Sequence, residues 1–305
     1  MASILVTGGT GLIGKKLCEL LRNKGHKVTI LSRNQVPKPN CYYWNLETNY
    51  IDAKAIVEAD FIIHLAGAGI ADKRWTKERK TALIESRVKS SNLLFQKVKE
   101  LNPNLKAFIA ASGIGYYGAT TSTKIYEEND DSGTDFLSEI CKSWENASNQ
   151  FKKLNIRTVI LRTGVVFSEK GGAFEKISKP IKLGVGAALG TGKQFTPWIH
   201  LEDLCNIYAE AVENTKINGI YNAIAPEHST NKALTKIIAK TFKKPLWLPN
   251  IPAFILKLFL GKMVVLLLEG SRISSKKIVA TGFKFNYPTL TKALDNLFRE
   301  TPSLN

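Results

Sequence analysis

The stretch that most restricts what this chain can become is its first thirty residues. Ser3-Ile4-Leu5-Val6 is an apolar run stopped by Thr7-Gly8-Gly9, the pattern of a short buried strand. Ile13, Leu17, Leu20 and Leu21 then recur at helical spacing along one face. Gly25 stands where that helix should end, and Lys27-Val28-Thr29-Ile30-Leu31 reads as a second strand. Strand, glycine turn, helix and strand make a βαβ unit, which implies a parallel sheet.

The alternation continues. Cys41 to Trp44 is a third strand, Ala53 to Glu58 a short helix, and Phe61 to Ala66 a fourth strand running into Gly67, Ala68 and Gly69. A charged helix spans Lys77 to Glu100 with Pro103 closing it. Ala107 to Ala111 is a fifth strand, a helix covers Phe136 to Leu154, and Arg157 to Leu161 is a sixth strand. Continuous apolar strands need helices on both faces, so the expected fold is α/β, a doubly wound parallel sheet. The first domain is expected over 1–222, with a glycine-rich, substrate-side insertion at about 165–195. A small lobe over 223–305 would complete the crevice. Ile251 to Leu268 is strongly apolar, but Pro252, Lys257, Gly261 and Lys262 break it below the ~20 residues of a membrane span. Two short core or interface helices are expected there, with a helix lying on a membrane surface as the alternative.

Charge opens several partners. Forty-three Lys and Arg against twenty-six Asp and Glu leave +17, which suits nucleic acid, anionic membrane or a phosphorylated ligand. The basic residues are spread through every segment, and no nucleic-acid motif accompanies them. Four scattered cysteines without CxxC or metal-ligand spacing point to free thiols in a reducing, cytoplasmic setting and to no metal site. The first apolar run begins at Ile4 without a charged leader, so no cleaved signal is expected.

Gly8, Gly11 and Gly14 give the first turn its chemistry. One glycine permits the tight bend, the second lets backbone approach a pyrophosphate, and the third lets helix and strand pack closely. The anion would rest on the helix N-terminus, over Thr10, Leu12 and Ile13. Leu65, Ala66, Gly67 and Ala68, at the carboxyl edge of the fourth strand, are expected to line the same dinucleotide. The end of the second strand indicates which one. Where an NAD site carries an acid about 20 residues on, this chain has Arg33 between Ser32 and Asn34. A guanidinium matches the 2′-phosphate of NADP.

These residues carry a resemblance. Gly8-Gly9-Thr10-Gly11-Leu12-Ile13-Gly14 resembles the extended short-chain dehydrogenase/reductase superfamily. Four further segments resemble its atypical epimerase-family subgroup: Ile70 to Thr76, Gly115-Tyr116-Tyr117-Gly118, Pro197-Trp198-Ile199-His200 and Gly282 to Pro288. The resemblance implies a Rossmann domain with a small C-terminal lobe of unassigned role. It also implies a Tyr-x-x-x-Lys pair on the helix after the fifth strand, yet in that register the chain has Leu137 and Cys141. Ser112, Tyr116, Tyr117 and Lys142 remain as candidates for moving a proton. Lys73, Arg74 and Trp75 suit either a phosphorylated or carboxylated substrate or a helix start capped by Thr76. The resemblance sets Trp198 and His200 beside the substrate crevice. The expected function is an NADP-binding epimerase/dehydratase-like oxidoreductase, monomeric or homodimeric, acting on a small polar or nucleotide-linked substrate. A non-catalytic NADP sensor and a basic RNA-binding relative are the alternatives.

Overall fold

The computed structural model describes residues 1–34, 39–169 and 171–299. In chain order the first half runs β1 (Ser3–Thr7), α1 (Leu12–Asn23), β2 (Lys27–Ser32), β3 (Cys41–Asn45), β4 (Tyr50–Ile51), α2 (Ala53–Val57), β5 (Phe61–His64), α3 (Lys77–Leu101) and β6 (Ala107–Gly113). The chain continues through β7 (Ile125–Tyr126), α4 (Phe136–Asn149), β8 (Arg157–Thr163), β9 (Val165–Phe167), α5 (Gly172–Lys182), β10 (Trp198–His200), α6 (Leu201–Glu213) and β11 (Gly219–Ala223). The last part holds α7 (Asn231–Thr241), α8 (Ala253–Leu260), α9 (Val265–Leu268), β12 (Arg272–Ile273), α10 (Lys276–Val279) and α11 (Leu290–Arg299). Eight strands form one sheet in the order β11-β8-β6-β5-β1-β2-β3-β4, parallel except for β4. The strand order reverses between β1 and β5, and ligands of open α/β sheets bind at such a point.

Alternation along each strand divides the interior in two. Ile4, Val6, Ile63, Ile109 and Leu161 face a core shared with α1 and α6. Leu5, Ile62, Phe108 and Ile160 face the opposite core, which includes Leu93, Leu94 and Val98 of α3. There Phe108 stacks flat on Phe151 with ring centroids 3.7 Å apart. A third core joins Phe167, Phe174 and Trp198 to Leu234, Ile238 and Leu294 of the C-terminal part. The segment 251–268 does form short helices, but α8 buries none of its residues, and Phe254, Leu258 and Phe259 are exposed. The core reading of that helix is thereby corrected. Leu260, its last residue, packs against the small cluster of Trp75, Leu83, Ile140 and Met263, which is separate from the two cores of the sheet. Among the described residues no helix is long and apolar enough to cross a membrane.

Two buried histidines should make the fold acid-sensitive. His64 is wholly buried, its ring nitrogens 2.7 and 3.1 Å from the Thr7 and Ser90 hydroxyls. Burial, aided by the Arg87 cation, pushes its pKa down to about 3. Burial likewise lowers His200, the N-cap of α6, to about 4. Both folded values lie below the unfolded value near 6.5. Their contribution is therefore complete above pH ~6.5 and lost as pH falls toward 4. Each neutral histidine should cost about 2 kcal/mol between pH 7 and 5. Urea midpoints at the two pH values check this, and His64→Gln should remove about half of the acid loss. An undiminished loss in that variant would show that His64 is not the group responsible.

Candidate active site

The glycine turn separates what the fold needs from what a ligand needs. Gly8 has φ +71°, and a Cβ there would press on the Leu65–Ala66 backbone at 3.0 Å. A Cβ on Gly14 would collide with the Gly8 carbonyl oxygen. These two glycines are dictated by the meeting of β1, α1 and the end of β5. Gly11 is different. It is exposed, its backbone is extended, and the Gly8 carbonyl, at 3.3 Å, is all that a Cβ would meet. Protein packing opposes a side chain there only through that one tight contact, whereas a pyrophosphate resting on the turn would exclude it outright. Gly11 is also the N-cap of α1, with no side-chain cap and no acid in the first turn, which suits an anion. Exposed Thr10 and half-buried Leu12 and Ile13 complete the rim. The residues of the turn fit a dinucleotide.

On one side of the turn lies the end of β2. Ser32 accepts the Asn34 amide at 3.0 Å, which folds the backbone tightly around exposed Arg33. Arg33 borders a cavity of about 290 Å³ with Tyr43, Trp44, Asn45, Leu46 and Glu47. Glu47 is an acid that the sequence reading did not count, because it arrives from β3's far end. On the other side, the Leu65 and Ala66 amides donate to the carbonyl and hydroxyl of Thr7. Gly67 is exposed, and the Ala68 amide donates to Ser86.

Beyond β5 the carboxyl ends of three strands build a polar floor. Ser112, Arg162 and Asn222 are register partners across β6, β8 and β11, so their side chains leave the same face side by side. Ser112 donates to Glu145 Oε1 at 2.7 Å. Arg162 grips the same carboxylate with Nε and Nη2 at 2.8 and 2.9 Å, and both side chains are buried. Arg162 Nη1 donates to the Tyr117 hydroxyl at 3.0 Å, and that hydroxyl donates to Asn222 at 2.7 Å. The Asn222 amide donates in turn to Glu128. Burial pushes the Tyr117 phenol up to about 12, so it stays protonated at neutral pH. The half-buried Tyr116 ring lies flat against the Arg162 guanidinium, 3.4 Å from its centroid.

Leu137 and Cys141, on α4, pack against the loop after β6. A Cβ on Gly115 would meet Leu137 at 3.2 Å and the Cys141 sulfur at 3.6 Å. Burial pushes the Cys141 thiol up to about 12, which leaves it a small apolar group. Lys142, one position on, is exposed. Trp75 is buried against Phe136 and donates its indole N–H to Ile70, while Thr76 caps α3. Lys73 is exposed. Arg74 donates to the carbonyls of Leu258 and Phe259, which ties the loop to the C-terminal end of α8. Trp198 is fully buried on Phe167, and His200 is buried beside Tyr287, so both belong to the wall of the third core. Glu145, Arg162, Glu128 and Asn222 were missed by the sequence reading. The one available signal was an arginine directly following an apolar strand core.

The family model described as "NAD dependent epimerase/dehydratase family" matches residues 4–223. The chain belongs to that family. A domain of unknown function matches residues 251–297, the region of α8 to α11. Among family members, the epimerase family protein YfhF of Bacillus subtilis is 35% identical over 302 residues, spanning 98% of both chains. The crystal structure of human epimerase family protein SDR39U1 with NADPH superimposes with a TM-score of 0.87. It is 29% identical and covers 98% of this chain and 99% of its own. A nucleoside-diphosphate sugar epimerase from Corynebacterium glutamicum gives 0.80 at 28% identity, over 96% of this chain and 57% of that one. The fold is thus shared with these structures over nearly the full length of this chain.

Proposed function

We propose that this protein is an NADP(H)-dependent oxidoreductase of the epimerase/dehydratase type, acting on a small polar or nucleotide-linked substrate. The observation that carries the reading is the glycine turn, whose Gly11 is exposed at the N-terminus of α1, with Arg33 just past the neighbouring strand. A solved relative at 29% identity carries NADPH, which supports the choice of cofactor. Gly8 to Gly14 would hold the pyrophosphate, Ser32, Arg33 and Asn34 the adenosine 2′-phosphate, and Leu65 to Ala68 the inner face. The bound nicotinamide supplies or accepts hydride.

The chain's own groups then bind the substrate and move a proton. Ser112 gives its hydrogen to Glu145, so toward a substrate its oxygen could act only as an acceptor. Tyr116 is the half-buried phenol of the site, its ring held against the Arg162 guanidinium, whereas Tyr117 is buried. Tyr116 therefore takes the proton-transfer role in this reading, and Tyr117 holds Arg162 and Asn222 in place. Arg74 is committed to α8, so this reading gives the rim's contact with an anionic substrate to exposed Lys73.

A screen of carbonyl compounds and nucleotide-linked sugars with NADPH and NADP⁺, followed at the nicotinamide absorbance, tests the reading. Turnover that Tyr116→Phe lowers by at least ~100-fold is expected. Tight cofactor binding without turnover on any substrate would instead favour a sensor.

A further inference from the structure

Two arginines lie beneath the loop that leaves β5, and neither meets a carboxylate. Arg87 of α3 is 9% exposed. Its Nη1 donates to the Leu83 carbonyl at 2.8 Å and its Nη2 to the Ala68 carbonyl at 2.9 Å. Its guanidinium sits 4.9 Å from the Trp144 ring centroid, and its buried Nε has no hydrogen-bond partner among the described residues. Arg79, two turns earlier on the helix, donates to the Gly69 carbonyl at 2.6 Å, and its Nε is likewise unpartnered. Among the described residues, no Asp or Glu lies within ion-pair distance of either guanidinium. Burying a guanidinium without a counter-charge is expensive, and arginine does not escape the cost by losing its proton. The ordinary repayment is a function.

The position of Arg87 indicates which function. A Cβ on exposed Gly67 would come within 3.1 Å of the Arg87 guanidinium carbon, so the charge lies directly under the loop surface. It also acts on the buried Cys141 thiol of α4, so it fills the wedge between that loop and the helix. Arg33 follows β2 on one side of the topological switch, while Arg87 lies under the loop after β5, near Cys141, on the other. A dinucleotide whose 2′-phosphate meets Arg33 must lay its nicotinamide half across β5 and β6.

We propose that Arg87 sets the redox preference of the cofactor site: its fixed charge opposes the cationic oxidised nicotinamide and leaves the neutral reduced ring unopposed. The chain therefore binds NADPH more tightly than NADP⁺. The inference rests on the cofactor reading above and assigns Arg87 no proton or hydride step.

Calorimetric titration of NADPH, NADP⁺ and adenosine 2′,5′-bisphosphate, which lacks the nicotinamide, separates the two claims. Wild type should prefer NADPH over NADP⁺ by about tenfold, as one fixed charge acting through partly shielded protein would give. Arg87→Lys should keep most of that ratio. Arg87→Met should bring it near one while the bisphosphate affinity stays unchanged, which shows that the variant is folded. If Arg87→Met does not fold, the wild-type and Arg87→Lys ratios decide. Bisphosphate binding by wild type with an NADPH-to-NADP⁺ ratio near one overturns the role of Arg87 alone. So does a tenfold ratio that survives Arg87→Met. Failure of all three ligands to bind wild type overturns the cofactor reading, and the Arg87 role with it.

Discussion

Arg162→Met should cost ~3–5 kcal/mol of unfolding free energy, because it leaves a buried carboxylate without its partner. Arg162 and Glu145 are 1% and 5% exposed at their side chains and joined by two short parallel bonds. The same guanidinium also holds the Tyr117 hydroxyl and the Glu128 carbonyl, so the loss spreads across β6, β8 and β11. Adding Glu145→Leu to Arg162→Met should recover much of the stability, since the stranded charge is then gone. Urea unfolding of both variants measures it. A single variant within ~1 kcal/mol of wild type, the range of exposed pairs, would mean that the pair does not hold the floor of the crevice.

Gly11→Val should lower NADPH affinity by on the order of 100-fold, the equivalent of ~2.7 kcal/mol, with the fold retained. The backbone of Gly11 is extended and exposed, so valine needs only a small shift from the Gly8 carbonyl, 3.3 Å from its Cβ, and fills the place of the ligand. Gly14→Ala provides the contrast. Its Cβ would run into the Gly8 carbonyl, so stability and binding should fall together. Circular dichroism melts beside NADPH titrations distinguish the two. A Gly11→Val protein that binds NADPH as wild type does would remove the turn from the cofactor site.

Much of this was legible because it depends on local pattern. The βαβ start, the long α3 capped by Thr76 and the apolar strands β5 and β6 all follow from periodicity and turn residues, within a few residues at each end. The glycine turn was legible for the same reason, as a motif set between a strand and a helix. The polar floor was not. Ser112, Arg162 and Asn222 come together only through parallel register, at separations of 50 and 60 residues that no local spacing encodes. Glu145 reads on α4 as one more charged helix residue until the sheet turns it inward. Arg74 illustrates the opposite case. Its chemistry suits an anionic substrate, but the carbonyls at the end of α8 reach it first.

Cofactor choice turns on the adenosine end of the site, where Arg33 is exposed beside a cavity that Glu47 also borders. A charge-assisted bond to the 2′-phosphate is worth ~1.5–3 kcal/mol, so NADPH should bind at least about tenfold more tightly than NADH. The deciding measurement is a side-by-side titration of the two cofactors with wild type and Arg33→Asp. Wild type should prefer NADPH, and Arg33→Asp should lose that preference, because an acid repels the phosphate and can accept from the free 2′-hydroxyl. Equal affinities in wild type, or a preference that Arg33→Asp leaves intact, would contradict this reading.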